Sequence, residues 1–144
     1  MKEGKVFIDT NLIVYAYDSS AGEKNRRAVE IMKEIWNSGQ GIVSTQVLQE
    51  FFVTVTRKIN KPMNIGTAKE IIRDLMKLKT VTVDREIILK AIDIHKEHKY
   101  SFWDSAIIAA AIEGGAMTLF SEDLSDKHKI RDIVINNPFA VVSG

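Results

Sequence analysis

The sequence contains no cysteine and only two prolines. Without cysteine the chain has no disulfide, no thiolate metal ligand and no cysteine nucleophile, which fits the reducing cytoplasm where we expect the protein to act. The three histidines, His95, His98 and His128, stand at no spacing typical of a metal site. Any metal binding or catalysis would therefore depend on other side chains.

Long apolar runs and strong net charge are also missing. The longest apolar run, residues 106–112, is far below the roughly 20 residues of a membrane span, so we expect no membrane association. The first four residues lead directly into a predicted strand, and we expect no signal peptide. The formal net charge of +1 argues against nucleic-acid binding by bulk positive charge, but it allows local basic patches.

The sequence does contain short apolar strands that alternate with helical patterns. Strands are predicted at residues 6–8, 41–44, 81–83, 117–120 and 133–135. Helices are predicted at residues 11–18, 23–37, 45–59, 64–78, 84–98 and 101–113, and the polar segment 121–132 is predicted as a loop. This alternation predicts one α/β domain over residues 1–144, with a parallel sheet flanked by helices on both faces.

Acidic residues follow two of the predicted strands. Asp9 comes directly after the first strand, and Glu122, Asp123 and Asp126 follow the fourth. Ligands of α/β sheets bind at the carboxyl ends of the strands, so neighbouring first and fourth strands would bring these carboxylates into one crevice. A hard cation such as Mg²⁺ or Mn²⁺ would remove their repulsion. The alternatives are a helix N-cap at Asp9 and a solvated turn after the fourth strand.

Two further acids, Asp104 and Glu50, each fit both a structural role and a place in the site. Asp104 begins a helix that is apolar nearly all round, so a buried carboxylate there needs a partner. Ser101 and Asp104 also fit a helix-capping pattern, and both a cap and a metal ligand are consistent with the sequence. Glu50 lies nearly opposite the apolar stripe of its helix at about 100° per residue, so periodicity alone predicts an exposed surface glutamate.

Four stretches together resemble a known family. They are FIDTN at residues 7–11, STQVLQEF at 44–51, FWDSAIIAAA at 102–111 and LFSEDL at 119–124. In order and spacing they resemble the PIN domains and, within that family, the VapC-type toxins of toxin–antitoxin pairs. The resemblance spans essentially the whole chain. It implies a PIN-like fold whose five-stranded sheet has the order 3-2-1-4-5.

The resemblance also implies an activity. PIN nucleases hydrolyse RNA phosphodiester bonds with Mg²⁺ or Mn²⁺, and the catalytic positions of the family fall here on Asp9, Glu50, Asp104 and Asp123. Of these, Asp9, Asp104 and Asp123 would bind the metal, and Asn11 and Ser121 would support them by hydrogen bonds. The VapC-type toxins further imply a cognate antitoxin and a homodimer.

One departure from the family pattern concerns the last acid. Many relatives have Thr-x-Asp-x-Asp-Phe after the fourth strand, whereas Ser125 stands here where they have the second aspartate. Glu122 and Asp126 therefore remain alternatives to Asp123.

Basic residues beside the acids would have to hold the RNA backbone. The candidates are Lys24, Arg26, Arg27, Arg57, Lys58, Lys61, Lys127, Lys129 and Arg131, although solvated surface is the default interpretation of each one.

Three alternatives to a toxin nuclease are a phosphatase, a non-catalytic RNA-binding protein and an RNA-processing nuclease. A phosphatase of the haloacid-dehalogenase type needs a second aspartate two residues after the first, and Asn11 stands at that position. A non-catalytic PIN-like RNA-binding protein would have an incomplete set of acids, whereas each position has a candidate here. An RNA-processing PIN nuclease without an antitoxin differs from a toxin only in its partner.

Overall fold

The structure is a computed structural model that describes residues 4–140. The strands of this part of the chain are β1 (Lys5–Ile8), β2 (Gly41–Ser44), β3 (Lys79–Val81), β4 (Ala116–Phe120), β5 (Lys129–Ile130) and β6 (Ile133–Asn136). The helices are α1 (Thr10–Tyr17), α2 (Glu23–Ser38), α3 (Thr45–Arg57), α4 (Ile65–Leu75), α5 (Arg85–His98) and α6 (Phe102–Glu113), and a 3-10 turn spans Ser19–Ala21.

The strands form one sheet with the order β3-β2-β1-β4-β6-β5. All neighbouring strands from β3 to β6 are parallel, and only β5 runs antiparallel to its neighbour β6. Since β6 is the predicted fifth strand, the predicted order 3-2-1-4-5 is confirmed. The central strand β1 is buried at Val6, Phe7 and Ile8, as expected where helices flank both faces of a parallel sheet.

Two predicted segments differ from the structure. The segment 121–132 contains β5, which pairs with β6 across the turn at residues 131–132. Its single apolar residue, Ile130, is too short a signal to indicate a strand within a polar segment. The third strand spans Lys79–Val81, whereas residues 81–83 were predicted. Its position follows from pairing with β2, where Lys79 lies opposite Ile42 and Val81 opposite Ser44. Sequence periodicity cannot detect such pairing.

Helix α6 is the most buried helix of the core. Its residues from Ser105 to Ala111 are all buried, and the helix packs against α5 and against strands β2 and β4. The helix is apolar nearly all round, as predicted, because other elements cover it on several sides. None of the helices within residues 4–140 has the length and apolar character needed to cross a membrane.

The start of β2 packs too closely for any side chain. A Cβ atom at Gly41 would lie 2.5 Å from Cγ2 of Ile35 and 3.0 Å from Cδ2 of Leu78, and both neighbours are buried. We therefore expect Gly41→Ala to lower the free energy of unfolding by about 1–3 kcal/mol, the usual cost of overpacking. Urea denaturation followed by circular dichroism measures the change.

The matched control is Gly66→Ala, at an exposed position in the first turn of α4. Alanine is a better helix former than glycine, and a Cβ atom at Gly66 would meet only Oδ1 of the exposed N-cap Asn64, at 3.1 Å. This variant should therefore stay close to the wild type in stability. Equal losses in both variants would contradict the packing argument.

Candidate active site

The carboxyl ends of β1 and β4 are held side by side. Ile8 pairs with Phe120, and the next backbone amide, that of Asp9, donates to the Phe120 carbonyl at 3.0 Å. The loop 121–126 begins directly after this point. The topology thus brings the acid after β1 and the acids after β4 to the same edge of the sheet, as the sequence predicts.

Asp9 is only 8 % exposed, and its carboxylate accepts two hydrogen bonds. Its Oδ1 accepts from the Thr10 amide at 2.7 Å, and its Oδ2 accepts from the Ser121 hydroxyl at 2.9 Å. Asp9 is also the N-cap of α1. The two alternative roles are therefore compatible, since the same side chain caps a helix and faces the other acids.

Burial raises the pKa of Asp9 from 3.8 to about 6. The hydrogen bonds from Thr10 and Ser121 favour the ionised form and lower the pKa, whereas the negative charges of Glu50 and Asp123 raise it further. No cationic side chain within residues 4–140 forms an ion pair with Asp9. The ionised carboxylate is consequently held in an unfavourable environment.

Glu50 lies near Asp9, contrary to the exposure that helical periodicity predicts. Its side chain is partly buried: Oε1 accepts from the Thr10 hydroxyl at 2.8 Å, and Oε2 accepts from Nε2 of Gln46 at 3.1 Å. Periodicity gave the wrong exposure because α3 is covered on two sides, by α1 and by the first turn of α6. The spacing of apolar residues along a helix reveals only the side that packs through apolar side chains.

Asp104 is also partly buried and points to the same group of acids. The Ser101 hydroxyl caps α6 by accepting from the Asp104 amide at 3.1 Å, which confirms the capping pattern. Burial raises the pKa of Asp104, the negative charges of Asp123 and Glu50 raise it further, and the Ser101 hydroxyl partly opposes them. Asp104 therefore combines the cap with a place in the acidic group.

Asp123 completes this group from the loop after β4. Its side chain is exposed, and its Oδ2 accepts from Nδ2 of Asn11 at 3.0 Å. Its backbone amide donates to the Ser121 hydroxyl at 3.3 Å, so Ser121 contacts both Asp9 and Asp123. The charge of Asp123 raises the pKa of both Asp9 and Asp104, which places it beside them.

The other two acids of this loop have different partners. Glu122 accepts from the Tyr15 hydroxyl at 2.6 Å and forms an ion pair with Lys24. Asp126 accepts from the backbone amide of Asn137 at 2.8 Å. Neither Glu122 nor Asp126 contributes to the raised pKa of Asp9 or Asp104, so their placement favours Asp123 among the three alternatives.

Two supporting residues, Thr10 and Gln46, were not singled out from the sequence, and they hold the two oxygens of Glu50. Lys24, a predicted RNA contact, instead holds Glu122 together with Tyr15. Gln46 stands one helical turn before Glu50, a spacing at which side chains of a helix commonly meet, and that spacing was the available signal. The contacts of Tyr15 and Lys24 join distant parts of the chain and leave no local pattern.

A cleft of about 430 Å³ lies along α1 and the end of α3. Its lining includes Asn11, whose side chain donates to Asp123, so the cleft adjoins the acidic group. Two of the basic candidates, Lys24 and Lys58, line the cleft, and Lys24 is paired with Glu122. Within residues 4–140, Lys58 has no acidic partner, which leaves it available to a phosphate in the cleft.

The donor chemistry of the site is uniform. Its side chains offer carboxylate oxygens supported by hydroxyl and amide groups, which is the set preferred by hard cations. Within residues 4–140, no three acidic or histidine side chains form a ready-made ligand set as they stand.

Fold and site together define a mostly parallel α/β domain with an acidic group at the carboxyl edge of its sheet. The PIN domain model matches residues 6–128. The chain therefore belongs to the PIN-domain family, as its sequence motifs indicate. No curated protein matches it significantly.

Solved structures with the same fold include bacterial toxins. VapC20 of Mycobacterium tuberculosis, described as a sarcin–ricin-loop-cleaving toxin, is 21% identical with a TM-score of 0.64, over 83% of this chain and 92% of that one. A toxin–antitoxin complex from Klebsiella pneumoniae is 17% identical with a TM-score of 0.70, over 94% and 98%. DNA-bound VapBC of Salmonella typhimurium is 16% identical with a TM-score of 0.63, over 94% and 99%. At these identities the similarity establishes the fold.

The raised pKa of Asp9 has a consequence for stability. An acid with a higher pKa in the folded state than in the unfolded state binds its proton more tightly when folded, so raising the pH destabilises the protein. We expect the free energy of unfolding of the metal-free wild type to fall as the pH rises from about 4 to about 6, by up to about 3 kcal/mol from Asp9.

Asp9→Asn should lose most of this pH dependence and should be more stable than the wild type at pH 7 when EDTA is present. Urea denaturation across this pH range measures both effects. Asp93→Asn, at an exposed position on α5, is the control and should retain the wild-type dependence. Equal pH dependence in wild type and Asp9→Asn would refute the argument.

Proposed function

We propose that the protein is a metal-dependent endoribonuclease whose catalytic residues are Asp9, Glu50, Asp104 and Asp123. The observation that carries this proposal is that the hydrogen bonds of Thr10, Ser121 and Gln46 bring the four acids together at the carboxyl edge of β1 and β4 in a PIN-domain chain, where the charges of Glu50 and Asp123 raise the pKa of both Asp9 and Asp104. Within residues 4–140 none of these four acids forms an ion pair, so together they repel an RNA backbone. A bound divalent cation would offset that repulsion and allow a phosphate group to approach the acids.

The residues of the site fit Mg²⁺ or Mn²⁺. Asp9, Asp104 and Asp123 would hold the ion or ions, since the raised pKa of the two partly or fully buried acids is the electrostatic cost that a cation offsets. When bound, such an ion supplies a water of lowered pKa and offsets charge on the phosphate and the leaving oxygen.

The chain's own groups prepare this chemistry. Glu50, whose two oxygens are fixed by Thr10 and Gln46, would orient the attacking water. Ser121 holds Asp9 and the Asp123 amide, and Asn11 holds the Asp123 carboxylate, so the acids keep their places while the metal and substrate exchange. Lys58 in the adjoining cleft would contact the RNA backbone.

We further propose that the protein is the toxin of a type II toxin–antitoxin pair in the cytoplasm, with an antitoxin as partner and a homodimer as its assembly. The similarity to VapC20 and to structures solved as toxin–antitoxin complexes supports the toxin role and the antitoxin partner. The homodimer and the cytoplasm are what the family resemblance implies. An RNA substrate cleaved within a structured loop would agree with the description of VapC20.

Cleavage of structured RNA in Mg²⁺ or Mn²⁺ tests the nuclease directly. Asp9→Asn and Asp104→Asn should each lower the cleavage rate by more than about 100-fold, since loss of a metal ligand should exceed the 10–100-fold typical of a supporting residue. EDTA should abolish cleavage by the wild type. Asp93→Asn is the matched control on the surface, and metal-dependent cleavage that survives in both site variants would rule the scheme out.

The loop after β4 offers a second test. Asp123→Asn should lower the cleavage rate by at least about 10-fold, whereas Asp126→Asn should stay within about twofold of the wild type. Glu122→Gln breaks the ion pair with Lys24 and should have an intermediate effect, because it loosens the loop that carries Asp123. If Asp126→Asn loses more activity than Asp123→Asn, the fourth acid is assigned wrongly.

A further inference from the structure

Gln46 is a buried polar side chain with an unusual position. Only 8 % of the residue is exposed, and its amide nitrogen Nε2 donates to two acceptors. One is Oε2 of Glu50 at 3.1 Å, within α3, and the other is the backbone carbonyl of Trp103 at 3.2 Å, in the first turn of α6. Burial of an amide is costly unless it is hydrogen-bonded, and both N–H groups of this amide have a partner.

These two hydrogen bonds connect two of the acids. Trp103 immediately precedes Asp104, so the Gln46 amide links the Glu50 carboxylate to the backbone that carries the Asp104 side chain. The negative charges of Glu50 and Asp104 oppose each other, and the free side chain of a glutamate has several rotamers through which it could move away. Thr10 fixes the other oxygen of Glu50 from the α1 side.

We infer that Gln46 is a positioning residue that fixes Glu50 relative to Asp104 and thereby sets the geometry of the metal site. The inference rests on the proposed function, because it takes these two acids as members of that site. Glutamine suits the role because a neutral donor holds the carboxylate without neutralising it. A lysine there would compete with the cation, and a glutamate would add a fifth negative charge.

Gln46→Met removes the donor and keeps a side chain of similar length. We expect the Mn²⁺ concentration for half-maximal binding, measured by calorimetry on the protein without RNA, to rise by about 10–100-fold. In cleavage assays kcat should fall by a similar factor while KM for RNA stays within about twofold. Gln49→Met is the matched control, since Gln49 is the exposed glutamine three residues along the same helix and should behave as the wild type.

A purely structural role predicts a different result. It would lower the urea midpoint of Gln46→Met without changing Mn²⁺ affinity or kcat of the folded protein, and this outcome would overturn the inference. Should Gln46→Met not fold, Gln46→Asn keeps the neutral amide but is one methylene shorter, so its nitrogen cannot span Glu50 and the Trp103 carbonyl. Its Mn²⁺ affinity should also fall, and wild-type affinity in this variant would also overturn the inference.

The two proposals fail in distinguishable ways. A wild type that binds Mn²⁺ but cleaves no RNA contradicts the nuclease proposal, while the calorimetric comparison still decides the role of Gln46. A wild type that cleaves RNA together with an unchanged Gln46→Met variant contradicts only the positioning role. A wild type that binds no Mn²⁺ overturns both.

Discussion

The cost of holding carboxylates in a buried group at the carboxyl edge of the sheet, which comes first from loss of water and then from repulsion, is the constraint on which the site depends. Parallel pairing of β1 and β4 places Asp9 beside the loop that carries Asp123, and the hydrogen bond from the Asp9 amide to Phe120 holds the two strand ends together. Domains of this size have a free energy of unfolding of only about 5–15 kcal/mol, so the loss caused by ionising one buried acid of raised pKa is a substantial fraction of it. The large apolar core supplies the stability that offsets this loss.

The partners of the acids divide them into two kinds. Asp9, Glu50 and Asp123 accept hydrogen bonds from neutral groups, namely Thr10, Ser121, Asn11 and Gln46. Glu122, by contrast, is paired with a lysine. Neutral donors fix a carboxylate and leave its charge available, whereas a lysine consumes that charge. This division separates acids that attract a cation from one that anchors a loop, and it is visible only once the contacts are known.

The sequence predicted the parts of the molecule that depend on local patterns. Apolar runs and their punctuation located β1, β2, β4 and β6, and the strand ends identified Asp9 as a candidate. The partly buried position of Glu50 could not be predicted from periodicity, because it arises from a second covering surface made by α1 and α6. The resemblance of the stretch at residues 44–51 to the PIN domains identified Glu50 as a site residue instead. The distinct partners of Glu122 and Asp123 depend on Tyr15, Lys24 and Asn11, which are about a hundred residues away in the chain.

The short antiparallel pair β5–β6 has a consequence for assembly. An open sheet edge exposes unpaired amide and carbonyl groups that can recruit a strand from another molecule. Here β5 closes one side of the sheet with two residues, and the strand at the other side, β3, has only three. Neither edge offers enough length for intermolecular strand pairing, which protects the chain against edge-to-edge aggregation. Association of two copies of this chain by extending the sheet is therefore disfavoured, and the sheet stays within each copy.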